Sequence, residues 1–142
     1  MTAGFVTVTE LRVRYAETDQ MGVVHHANYL IWCEQARTDH MRQRGVSYRH
    51  VEAAGVRLPV VEASLRYRSA ARYDDLIRVR CWVREASSRR ITFGYAIERG
   101  DDGQLLATAS TALIAVDSNH AVTRLPEAVR EHLVPTADPV RV

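Results

Sequence analysis

A single stretch with a helical period lies near the N-terminus, and most of the chain beyond it alternates like strands. That order limits the fold more than any other feature. From Asn28 to Arg44, Leu30, Cys33, Ala36, Arg37 and Met41 recur near one face, and Ile31 and Trp32 widen it. Asn28 is a favoured N-cap residue, and Arg42 and Arg44 followed by Gly45 make a favoured end. Such a helix is about 25 Å long at 1.5 Å per residue. Before it, Leu11, Val13 and Tyr15 alternate with Glu10, Arg12 and Arg14, which predicts a strand over 9–15. After it come Val61, Ala63, Leu65 and Tyr67, then Ile77, Val79, Cys81 and Val83, then Ile91, Phe93, Tyr95 and Ile97, each set alternating with other residues. Asp101-Asp102-Gly103 is a turn signal that joins 90–99 and 104–117 in a hairpin. The last of these strands is apolar on both faces, so it belongs inside the sheet or under two layers. Short helical turns are expected over 47–55 and 125–133. The pattern is α+β, one domain over residues 1–142, with a curved antiparallel sheet wrapped around one long helix.

Composition removes several classes of function. All 19 basic residues are Arg, so no Schiff base, lysine nucleophile or lysine base is available. Any bound anion must be met by Arg, His or backbone N–H groups. A net charge of +2 does not argue for nucleic acid or a membrane surface. No apolar run is long enough for a membrane span, and the first ten residues lack the basic-then-apolar order of a secretory leader. The expected compartment is the cytoplasm. Cys33 and Cys81 lie inside apolar patterns and read as small core residues. There is no Gly-x-Ser-x-Gly elbow, phosphate-binding Gly-rich loop or His-Glu-x-x-His helix.

The remaining chemistry is concentrated in AETDQMGVVHHANYLIWCEQAR, residues 16–37. A helix N-terminus offers unpaired N–H groups and a partial positive charge to an oxyanion. Asp19 lies in the loop that feeds that terminus, and Gly22 lets the backbone turn. A carboxylate beside donors aimed at a carbonyl oxygen is the minimum equipment for acyl transfer, by direct attack or by activation of water. A thioester suits so lean a site, because its leaving thiol has a pKa near ~8.5 and needs no strong acid. Other readings of the same residues stay open. Asp19 also fits a turn and Asn28 a simple cap. His25 and His26 fit metal ligands poorly, because adjacent histidines on a loop are expected to point apart and no third ligand has suitable spacing. Glu34 is a second catalytic carboxylate candidate, or an i,i+3 partner of Arg37.

The run RVRYAETDQMGVVHHANYLIWCEQAR, with LPVVEASLRYRSAARYDDLIRV further on, resembles the hotdog-fold acyl-CoA thioesterases. It is most similar to the 4-hydroxybenzoyl-CoA thioesterase type and its Tol–Pal-associated bacterial relatives. The resemblance rests on Asp19, Gly22, Val24, His26, Asn28 and Tyr29, then Glu34, Ala36 and Arg37, then the Tyr73-Asp74-Asp75 turn, and covers about residues 9–133. It implies that Asp19 is the catalytic carboxylate, with the backbone N–H near His26 polarising the thioester carbonyl. His25 stands where relatives often carry an aromatic residue. Gly22, Val24, His25, Asn28, Tyr29 and Glu34 are the implied substrate-binding set, and Arg89 and Arg90 the basic pair for the nucleotide phosphates, with Arg66, Arg68 and Arg72 as further candidates. The implied substrate is acyl-CoA or an acyl carrier protein, with water as co-substrate and no separate cofactor or metal. The implied assembly is a homodimer or homotetramer with the site between subunits. Two rivals are a hydratase or dehydratase on the same fold, which would use His26 and Glu34, and a non-catalytic acyl-binding module.

Overall fold

The computed structural model describes residues 4–142. Its elements are β1 (Thr7–Arg12), a 3-10 turn (Tyr15–Glu17), α1 (Asn28–Gln43), α2 (Tyr48–Ala53), β2 (Val60–Tyr67), β3 (Leu76–Ala86), β4 (Arg90–Arg99), β5 (Leu105–Ile114) and α3 (Glu127–His132). The five strands form one antiparallel sheet in the order β1-β3-β4-β5-β2. Its inner face wraps α1, as the pattern predicts. Alternation puts Ile77, Val79, Cys81 and Val83 of β3 and Ile91, Phe93, Tyr95 and Ile97 of β4 into the core.

Several expectations are corrected in detail. The first strand begins at Thr7 and ends at Arg12, and Tyr15 lies exposed in the 3-10 turn beyond it. The buried stripe of α1 is Tyr29, Trp32, Cys33, Ala36, His40 and Met41. Leu30 and Ile31 are exposed, because each step along a helix turns about 100° and these two fall off that stripe. The N-cap position is Ala27, not Asn28. The last strand stops at Ile114, and Val116 continues only as isolated bridges to Arg57 and Val122.

Two features cover the outer face of β4 and β5. On the outer face Trp82 lies over Gly94, where an added Cβ would come within 2.6 Å of the indole. The C-terminal residues then cross the sheet. Asp138 accepts hydrogen bonds from Trp82 Nε1 at 2.8 Å and from Arg84 Nε and Nη2 at 3.0 and 2.9 Å. On the inner face, α1 leans on β1 and β3. Its other flank therefore stands away from β5 and β2.

His40 sits at the foot of α1, fully buried, with Nδ1 2.9 Å from Thr7 Oγ1 and its ring edge-on to Phe5 and Phe93. Burial pushes its pKa down from 6.5 to about 4. The folded state therefore keeps His40 neutral, while the unfolded chain takes up a proton below about pH 6.5. The resulting stability is present above that pH and is lost as pH falls toward about 4. The melting temperature should drop by several degrees across this window, and His40→Gln should flatten that part of the profile. A wild-type melting curve that is level from pH 6.5 to 4 would remove His40 as the cause.

Candidate active site

The residues at the entrance of α1 are organised by a side chain that residue order alone does not single out. Glu17 is 4% exposed. Its Oε1 accepts the Arg14 N–H at 2.8 Å and its Oε2 the Trp32 indole N–H at 2.9 Å. Its carbonyl accepts the His25 N–H at 2.8 Å and the Asn28 side-chain amide at 2.9 Å. Asn28 thus ties the helix start to the loop instead of capping it. The only signal in the sequence was an acidic residue inside a segment that the resemblance already covered.

Asp19 lies between these anchors, half-buried. The Asp19 N–H reaches the Val23 carbonyl at 2.9 Å, and the Gly22 N–H reaches the Asp19 carbonyl at 3.0 Å. Gly22 takes φ +78°, a conformation costly for a residue with a Cβ. Asp19 Oδ1 accepts the Met21 N–H at 2.8 Å. Asp19 is therefore a turn residue as well as a carboxylate with one oxygen still unengaged by protein among the described residues.

The far side of the loop is clasped to the rest of the fold. Tyr67 Oη donates to the His26 carbonyl at 2.9 Å. Val24 donates its N–H to the Ala71 carbonyl, and Ala71 donates its own to Tyr29 Oη. Val24 and Tyr29 are core residues, 4% and 2% exposed, so they shape the site from beneath. The His26 N–H has no protein acceptor among the described residues. The His25 and His26 rings stack at 4.2 Å, because a turn bonded from Asn28 N–H to the His25 carbonyl folds them onto one side. Among the described residues there is no cluster of three or more potential metal ligands.

Glu34 and Arg37 do not form the i,i+3 pair considered from spacing. Glu34 is exposed, and Arg37 Nη1 donates to Tyr95 Oη at 3.3 Å, which in turn meets Thr111 Oγ1 at 2.6 Å. Both line a cavity of about 320 Å³ beside α1. Arg89 and Arg90 lie exposed at the start of β4, Arg90 as its first residue with Nη2 3.5 Å from Glu62. Arg90 pairs with Ile114, next to Leu113 opposite Val60, whereas the His26 loop meets the other end of β2 at Tyr67. Within one chain, then, the basic pair and the Asp19 loop sit at opposite ends of the sheet. Cys33 and Cys81 are buried thiols, and burial pushes Cys33 up to about 12, so neither is a ready nucleophile.

Residues 13–133 match the thioesterase-like superfamily. The chain belongs to that superfamily. It is an enzyme of thioester hydrolysis on a hotdog fold. A putative acyl-CoA thioesterase of Bacillus subtilis, YneP, is 38% identical over 112 residues, 79% of this chain and 80% of the relative. A hypothetical protein of Thermus thermophilus has a crystal structure that matches with TM-score 0.84 at 43% identity, covering 91% of this chain and 95% of that one. The structure of a DHNA-CoA thioesterase from Staphylococcus aureus matches with TM-score 0.82 at 36% identity, covering 84% and 80%.

In this thioesterase, Glu17→Ala would strand the Trp32 indole and the Arg14 N–H. Leaving the buried indole donor unpaired costs about 1–3 kcal/mol, and the part-buried Arg14 N–H adds less. The variant should melt at lower temperature and turn over more slowly with Asp19 intact. Unchanged melting and unchanged turnover would show that the loop holds its shape without the Glu17 side chain.

Proposed function

We propose that this thioesterase hydrolyses an acyl-CoA thioester, with Asp19 as the reacting carboxylate and the His26 N–H at the entrance of α1 as the carbonyl donor. The observation that carries the reading is the state of Asp19: one oxygen is held by the Met21 N–H and the other is unengaged, beside a helix entrance with an open donor. The names of the relatives, acyl-CoA thioesterase and DHNA-CoA thioesterase, support a CoA thioester as the substrate kind. An acyl carrier protein would present the same thioester.

The free oxygen of Asp19 has two courses. As a base it takes a proton from water, whose oxygen bonds to the carbonyl carbon while the C–S bond breaks and the thiolate leaves. As a nucleophile it bonds to that carbon itself, expels the thiolate, and leaves a mixed anhydride that water opens to the free acid. In both courses negative charge builds on the carbonyl oxygen. Open N–H groups and the helix dipole stabilise it without reorganisation. No lysine is needed, and no strong acid is required for a thiol with a pKa near ~8.5.

The site is completed by a second copy. β2 is an edge strand, exposed along both faces, and carries exposed Val60, Val61 and Tyr67. A free strand edge with apolar residues is a natural template for pairing. Antiparallel pairing of two β2 strands would set Tyr67 and the His26 loop of one copy against the Val60 end of the other, where Glu34, Arg37 and the Arg89-Arg90 pair lie. The two unpaired buried cysteines fit a reducing compartment, the cytoplasm.

Asp19→Asn keeps the shape of the side chain and removes its charge. Turnover of a panel of acyl-CoA thioesters, followed by thiol release, should fall at least ~100-fold in a protein that still folds. Near-wild-type turnover would end the assignment. Glu34→Gln belongs beside it: a larger loss there would transfer the role to the helix carboxylate.

Sedimentation should give a dimer or larger. A fully active monomer at assay concentration would contradict the shared site.

A further inference from the structure

The outer face of the sheet, turned away from α1, carries polar rows of its own. Register sets Trp82, Gly94, Ser110 and Ser64 side by side across β3, β4, β5 and β2. The next row is Arg80, Ala96, Thr108 and Arg66. Residues two apart on a strand share a face, so this row projects outward with Trp82. Ser64, Arg66, Arg84, Thr108 and Ser110 line a hollow of about 230 Å³ on that face, and Glu62 and Val142 complete its wall.

The acids around the hollow are already engaged. Arg80 holds Glu98 through two bonds, at 3.0 and 3.1 Å. Asp138 is held by Trp82 and Arg84, and Glu62 has Arg90 3.5 Å away. Arg66 is the guanidinium left over. It is exposed, and it forms no ion pair and no side-chain hydrogen bond among the described residues.

Thr108 supplies an independent sign that the hollow is incomplete. It is 0% exposed, and its hydroxyl is the one buried side-chain polar group without a hydrogen-bond partner among the described residues. Its neighbour on β4 is Ala96, whose side chain has no polar atom, and its neighbour on β2 is Arg66, which does not bond to it. A buried hydroxyl without a partner is costly and rare, so it marks a place where a partner belongs. Ser110 Oγ accepts Arg84 Nη1 at 3.2 Å, which leaves its own proton to donate. The Ser64 hydroxyl is unbonded among the described residues. Three hydroxyl donors and a free guanidinium thus line one hollow whose only acid already has a cation.

Such a set suits a ligand that only accepts hydrogen bonds, a small oxyanion. The hollow is smaller than the roughly 300–1,000 Å³ of organic-ligand pockets, so the ligand has few atoms. The oxygens of a phosphate point in four directions and can meet the Arg66 fork and hydroxyls from both strands together. A flat carboxylate has two oxygens and meets fewer.

We propose that this outer-face hollow binds inorganic phosphate, with Arg66 as its cation and the Ser64, Thr108 and Ser110 hydroxyls as its donors. The site lies across the sheet from α1 and is separate from the thioester chemistry. Phosphate held there ties the edge strand β2 to β5, beside the C-terminal residues that Asp138 fastens to Arg84.

Calorimetric titration of the full-length protein with sodium phosphate, at fixed pH and ionic strength, tests the site. Wild type should bind one phosphate per chain. Arg66→Ala, shown to be folded by its melting curve, should weaken binding at least about tenfold, the scale of one charge-assisted hydrogen bond. Thr108→Val should weaken it by about threefold or more, and without phosphate it should melt no lower than wild type, because it removes the stranded hydroxyl. Phosphate should raise the melting temperature of wild type more than that of Arg66→Ala, a difference that the general salting-out action of phosphate does not produce. Acetate should bind more weakly than phosphate, and coenzyme A should not displace phosphate. No binding to wild type, or an unchanged affinity in Arg66→Ala, overturns the proposal. Tighter binding of acetate overturns the choice of ligand. Displacement by coenzyme A, or a loss in an Arg89→Ala/Arg90→Ala double variant as large as in Arg66→Ala, would make the hollow part of a nucleotide site and overturns it as well.

Discussion

The buried carboxylate of Glu17 is the contact on which the rest of the site depends. A carboxylate out of water is tolerable only when its oxygens are met by donors. Here the donors are the Trp32 indole and the Arg14 backbone, with the Arg14 guanidinium 3.6 Å away. Trp32 belongs to the core stripe of α1, and Arg14 lies just past the end of β1. One side chain therefore fixes the helix, the strand exit and the loop between them in a common register. Its backbone carbonyl adds His25 and Asn28 to the same knot. Asp19 hangs between these fixed points, a placement that suits the reacting carboxylate proposed above.

The tilt of α1 toward β1 and β3 has the second-largest consequence. It buries Cys33 and Ala36 tightly against the sheet and leaves the Glu34–Met41 flank standing clear. Arg37 is held from within that gap by the Tyr95–Thr111 hydrogen bond at its base. The open flank and the unpaired β2 edge lie on the same side of the molecule. The proposed second copy would bury the apolar residues on that edge and close the open flank in one event. That common demand is the physical link between the proposed assembly and the proposed chemistry.

Much of this was legible in the sequence. Period-two alternation determined the long strands, and a helical period determined α1, because burial on one face is written into residue order. The absence of lysine and of known nucleophile motifs narrowed the chemistry, and the dense run from Asp19 to Arg37 identified where to look. The family came from that run taken as a set, since Asp19 or His26 alone fits a turn or a loop equally well.

Tertiary structure decided what residue order does not encode. The rotation of α1 put Leu30 and Ile31 outside and His40 inside, because the stripe that packs is chosen by the sheet it meets. Asn28 is the first residue of α1 and not its N-cap, and its side-chain amide donates to the Glu17 carbonyl, 11 residues away. Arg37 turned from Glu34 to Tyr95, a partner 58 residues away. The adjacent histidines stacked on one side because of a turn that spacing does not specify. Each of these depends on contacts between segments remote in the chain. Local pattern fixes which elements form, and only their packing fixes which polar group meets which.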